Sequence, residues 1–582
     1  VTIAQTPSIT HSDRIRQLAE TRRQVLLGPT EQVMAAILDH PQPAALVHAF
    51  PEEDLHFLIH DIGLSDALPL IALASNRQWE YLLDVETWRR DQMDYPQAST
   101  WLQILLEADP DRLVKWCFDE KLEFLEVFLF RNIELRVRES EQDPSDFGDG
   151  FFTDDDTFYV RFVDYPVATP EEETSKTRRN ETLGQLLRRL SIHDHPGYQG
   201  LLLEAVSVVP GETEEELFRL RNVRLAEKGF LPFHEAVGVY QPLRPEDIKA
   251  GREKTLRPPS PDGSLLPVPQ FTTTFLDGDN LLVRALKGVR EAYVVQQLQV
   301  ELASLCNQVI SADLVVVRGR NQLKPVISKV SGYLSIGLER MTEKIAGGRE
   351  TNASALLKRY LLEDIFRIGF AKALQLKWQA SRWRKTSWCR AQQVDLTFWE
   401  EAWLGLLGGL LIDKPKFYDP SNTGSSYRDF QTQEEIEATG RGLGRVMALD
   451  QLLKAMDLPM AAIAGFRFLT YKNLLLTLWT RASLKAAPID ADTSSIAVSL
   501  SAFREFYTAL WTNSKGRRII DDGKRGEFLG WVADMSGLSP VDLSDLLGTV
   551  FQALFDQIER ELAPVQAGNL DPRYIHLFLL KP

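Results

Sequence analysis

The sequence predicts a mainly α, multidomain protein with minor β. An N-terminal array of short antiparallel helices is followed by larger helical domains. Three observations carry that expectation. Helix starts of one kind recur, with a capping side chain or a turn, then proline, then carboxylates. Long apolar stripes repeat at three- and four-residue spacing. Runs rich in β-branched and aromatic residues are few and short. The 582 residues, at roughly 100–200 per domain, suggest about three to five domains.

The first module spans 12–135. Gly28 and Pro29 make a turn, and Thr30 is placed to cap a helix from Glu31. Pro51 sits where a first-turn proline belongs, followed by Glu52, Glu53 and Asp54, whose charges suit the exposed amides there. The device recurs at Asp109, Pro110 and Asp111, ahead of Leu113, Trp116 and Cys117 at core spacing. The run KLEFLEVFLF (121–130) is too apolar for a surface.

Residues 136–180 read as an acidic linker, with TFYVRFV (157–163) as its one strand and Thr169, Pro170 and Glu172 spaced as a capping box. A middle helical domain covers 181–249. There Thr213 and Glu216 have capping-box spacing, and Gly229 is a left-handed helix end. Five prolines mark 250–270 as an extended linker.

The large helical domain is 271–485. Val295, Leu298, Leu302, Leu305 and Val309 form one stripe, and 355–376 reads as one long helix. DLVVV (313–317) suits either a strand or a buried helix turn. In the C-terminal helical region, 486–582, Ser539 caps, Pro540 follows, and Leu546 to Leu562 make an apolar face.

Composition narrows the function. Charged residues are 25% and hydrophobic residues 44%, which excludes a disordered or collagen-like chain. Lys+Arg is 66 against Asp+Glu 81, a net charge of -15. That balance argues against a general nucleic-acid coat, though not against a local basic surface. Cys117, Cys306 and Cys389 lie far apart without a CxxC, so a reducing, cytoplasmic setting is expected. The first thirty residues carry Asp13, Arg14, Arg16 and Glu20 and no apolar signal core. The longest apolar run, 404–412, is nine residues, against the about 20 a spanning helix needs. No membrane span is expected.

Two resemblances add to this reading. PEEDLHFLIHDI (51–62) and ADPDRLVKWCF (108–118) resemble the helix starts in the cytosolic N-terminal domain of MgtE-type magnesium transporters, a superhelical stack of helix pairs. The transporter's membrane part has no counterpart, and no magnesium ligand set is matched. Across nearly the full length, the segments 221–240, 364–379 and 405–419 resemble an uncharacterised bacterial domain-of-unknown-function family from sulfate- and metal-reducing anaerobes. That resemblance implies a bacterial cytoplasmic protein and supplies no catalytic residues.

The metal candidates are His193 and His195, an HxH pair able to place two imidazoles on one side of an extended loop, with His234 and Glu235 as further ligands. The plainer account is a helix cap in a solvent-facing turn. His56 and His60 have helical i,i+4 spacing beside Asp61 but no HExxH, and read as a packing edge. The acidic run 143–156 misses the EF-hand register. TGRGLGR (439–445) matches neither phosphate-loop pattern and reads as a connector between helices.

The sharpest contrast to the acidic average is 376–390. Lys377, Arg382, Arg384, Lys385 and Arg390 interleave with Trp378, Trp383 and Trp388. Cations with indoles suit an acidic peptide, or phosphates and bases. Five-residue spacing turns by about 140° per step on a helix, so three indoles do not make one platform. The plain reading packs the tryptophans while the cations reach solvent.

The expected function is therefore a cytoplasmic protein-interaction or scaffold protein with a protein partner. A metal-dependent hydrolase or transferase using His193 and His195, and a nucleic-acid-associated protein using 376–390, are the alternatives. No cofactor and no catalytic set are singled out.

Overall fold

The computed structural model describes residues 11–581 apart from 165, 167–168, 208–209, 249–252, 257–267, 277, 423, 459–462, 464–465, 467, 490–494 and 515–516. Helices dominate, and every described sheet is two-stranded. This is a mainly α fold with minor β. The chain divides into two compact units. One comprises Val1–Gln241, Ile248–Leu334 and Lys344–Phe366; the other comprises Pro242–Asp247, Ser335–Glu343 and Arg367–Pro582. Most of the proline-rich stretch 250–270 lies outside the described residues.

The first unit begins with short helices whose starts follow the sequence chemistry. Asp109 caps Pro110–Glu120, accepting the Arg112 N–H at 3.2 Å, with Leu113, Trp116 and Cys117 buried. Pro51 is the cap of Glu52–Ile62 rather than its first helical residue, and Glu52, Glu53 and Asp54 fill the first turn. Leu122–Asn132 buries Phe124, Leu125, Val127, Phe128 and Leu129, as its composition demands. Buried Trp79 donates its indole N–H to the Ile71 carbonyl at 2.7 Å, and the Arg112 guanidinium lies 3.9 Å from the ring centroid.

Within 136–180, Phe158–Phe162 is a strand, paired antiparallel with Ile133–Val137. The acidic connection between them has a tether. Asp155 accepts the N–H groups of Thr157 at 3.0 Å and Phe158 at 2.8 Å. Thr169 and Glu172 form the capping box of Pro170–His193. Thr213 and Glu216 do not cap, because Pro210–Ala226 starts one turn earlier. Gly229 has φ +87°, and a Cβ there would meet the Ser304 carbonyl oxygen at 2.5 Å.

Leu298, Leu302, Leu305 and Val309 are buried on Ala292–Asp313. DLVVV is neither strand nor buried turn. Leu314, in the left-handed region, ends the helix, and Leu314, Val315 and Val316 are exposed. The helix expected over 355–376 is two helices, Arg349–Arg359 and Leu362–Thr386. Tyr360 turns extended, and Glu301 accepts the Leu362 N–H at 2.6 Å, which stabilises the new start.

The second unit packs around Trp479, whose ring meets Phe506, Phe528 and Phe555 at 4.9, 5.3 and 6.3 Å between centroids. Ser539 caps Pro540–Leu562, which buries Leu543, Leu547, Val550, Phe551, Leu554, Phe555, Ile558 and Leu562. Leu546 falls off that stripe and is exposed. The glycine-rich 439–445 is mid-helix in Gln433–Ala455, not a connector. Its Gly442 faces Leu406 so closely that a Cβ would meet Leu406 Cδ1 at 2.6 Å.

Candidate interaction face and histidine–carboxylate cluster

The 376–390 segment covers the end of Leu362–Thr386 and the short helix Trp388–Ala391. One buried carboxylate organises it. Asp450 accepts the Trp383 indole N–H at 3.1 Å, the Trp388 N–H at 3.1 Å and the Cys389 N–H at 3.4 Å. Burial pushes the Asp450 pKa up, against those three donors. Trp383 packs edge-on against Trp399 at 6.0 Å, and Trp388 lies 5.6 Å from Phe398. These two indoles are core.

Trp378 differs: it is 46% exposed. Arg382, Arg384, Lys385 and Arg390 are exposed too, and none pairs with a carboxylate among the described residues. Lys377 donates to the Asp413 carbonyl at 2.6 Å. Trp378, Arg382 and Lys385 stand at i, i+4 and i+7, within about 60° of one another around the helix. One indole and two cations therefore share a solvent-facing stripe.

The other predicted residues scatter into small local contacts. His193 ends Pro170–His193 and stacks on Phe118 at 6.1 Å. His195 opens the next helix, with ring nitrogens 3.2 Å from Ser191 Oγ and 3.2 Å from Gln199 Nε2, and Asp155 Oδ2 3.9 Å away. His234 and Glu235 are exposed and 3.6 Å apart. None of these four belongs to a converging group of three metal-ligating side chains among the described residues.

The group that does converge is His56, His60 and Glu86. His56 Nε2 lies 2.7 Å and His60 Nε2 2.8 Å from the same Glu86 Oε1. Arg318 Nε approaches the other oxygen at 3.2 Å. Glu86 ends the helix Asn76–Glu86. The histidine pair was visible as an i,i+4 spacing. Glu86, thirty positions beyond His56, had no local signal.

A model described as a family of unknown function, DUF6178, matches residues 11–581. The chain belongs to that family. No curated protein and no solved structure matches this DUF6178 chain. Among its described residues, no helix is long and apolar enough to cross a membrane.

Proposed function

We propose that this DUF6178 chain is an interaction protein, and that Trp378, Arg382 and Lys385 receive an acidic segment of a protein partner. The carrying observation is the exposed, unneutralised cation group around a half-exposed indole. Carboxylates outnumber cations in this chain, and some exposed cations find local partners, as in Arg219–Glu216 and Arg244–Asp247. The 382–390 cations do not. An acidic segment supplies the missing charge, and the indole adds apolar area to the contact.

A protein is favoured over nucleic acid because stacking successive bases needs several exposed rings, and two of the three indoles here are buried. A cytoplasmic setting fits the three buried, unpaired cysteines.

The test is native mass spectrometry of the chain purified gently from its own cells, beside an Arg382→Glu/Lys385→Glu variant. The expected result is a stoichiometric protein partner on the wild type, weakened by salt and lost from the variant. A variant with wild-type circular dichroism that keeps the same partner would overturn the proposal.

A further inference from the structure

We infer that His56, His60 and Glu86 bind one divalent first-row transition-metal ion, with zinc the best fit. The site lies wholly in the first unit. Helix Glu52–Ile62 sets the two histidines one turn apart, so both imidazoles leave the same face. The end of Asn76–Glu86 brings the carboxylate to them. The three ligand atoms lie within 4.8 Å of one another.

The donor set selects the ion. Two imidazole nitrogens with one carboxylate oxygen suit zinc and its first-row neighbours, while calcium and magnesium take oxygen. The surroundings hold the donors in place. Tyr81 meets the His56 ring edge-on at 6.1 Å, and Trp101 meets His60 at 6.3 Å. Arg318, on the far carboxylate oxygen, fixes the orientation of Glu86 as an outer-shell partner does.

Entry of the ion needs little movement. Glu86 Oε1 accepts both Nε2–H groups. With an ion bound, each neutral imidazole carries its proton on Nδ1 and turns a bare Nε2 to the metal. Zinc bonds of about 2.0–2.1 Å give tetrahedral edges of about 3.3–3.4 Å. The 2.7 and 2.8 Å separations must therefore widen by roughly half an ångström. Three protein ligands leave one tetrahedral position for water, and His60 and Arg318 are both partly open to solvent. Phe57 stands where an HExxH motif carries its glutamate, so no hydrolytic step is assigned.

The experiment strips the full chain with chelator and titrates it with Co²⁺ and Zn²⁺, reading heat and the visible cobalt spectrum. One ion per chain with a tetrahedral nitrogen–oxygen cobalt signature is expected. His60→Gln should weaken binding by at least the roughly 10–100-fold that outer-shell changes cost, and His193→Gln should leave it unchanged. Stripped, folded wild type that takes up no cobalt would sink the inference, and this needs no variant. So would a His60→Gln protein with native circular dichroism and undiminished affinity.

Discussion

Glu126 lies on Leu122–Asn132 and is 7% exposed. Burial, then hydrogen bonding with Glu204 and the charge of that carboxylate, push its pKa up to about 7. In the unfolded chain it titrates near 4.5. The folded value is the higher one, so the protonated form favours folding. That contribution is whole below about pH 4.5 and fades as pH rises through about 7. Glu126→Gln keeps an N–H donor toward Glu204 and removes the charge. At pH 8 the variant should be more stable than wild type by on the order of 1–2 kcal/mol, with no gain at pH 4.5. Urea unfolding at the two pH values measures this, and an equal effect at both would refute the shared-proton account. Glu126 and Glu204 lie on different helices, so nothing in their spacing announced the pair. The same limit hid Glu86 from the sequence, while the His56–His60 spacing, set by one helix, was plain. A site built within one element is readable, and its partner from another helix is not.

Elements obey the same division. The starts at Asp109, Thr169 and Ser539 were legible because capping depends on residues three or four apart. The break at Tyr360 was not, because the acceptor for Leu362 is Glu301 on another helix. The glycines of Glu400–Leu411 show what an apolar run conceals. LGLLGGLLI is a packing surface for a hairpin, Phe417–Tyr418 with Tyr427–Arg428. A Cβ on Gly409 would meet the Lys416 carbonyl oxygen at 2.5 Å, while one on Gly442 would meet only the end of the Leu406 side chain. Backbone cannot step aside as a leucine can. Gly409→Ala should therefore cost about 1–3 kcal/mol through overpacking. Both sites gain about 1 kcal/mol in helix propensity, so Gly442→Ala should cost less because the Leu406 side chain can yield. Chemical denaturation of the two variants ranks them, and the reverse order would mean that the hairpin moves more readily than Leu406.

At the scale of the whole molecule, the division into two compact units predicts that unfolding is not two-state. Calorimetry should resolve two transitions, and the variants above assign them. Glu126 belongs to the first unit and Gly409 to the second. At pH 8, Glu126→Gln should raise one midpoint and leave the other in place. Gly409→Ala should lower the second and spare the first. Zinc, if it binds His56, His60 and Glu86, should lift the same transition that Glu126→Gln lifts, by mass action on the folded unit alone. The cation stripe on Leu362–Thr386 lies in the other unit, so an acidic partner should stabilise the transition that zinc leaves untouched. A single transition moved by every one of these changes would mean that the two cores fold as one, and that metal binding and partner binding are thermodynamically linked across the chain.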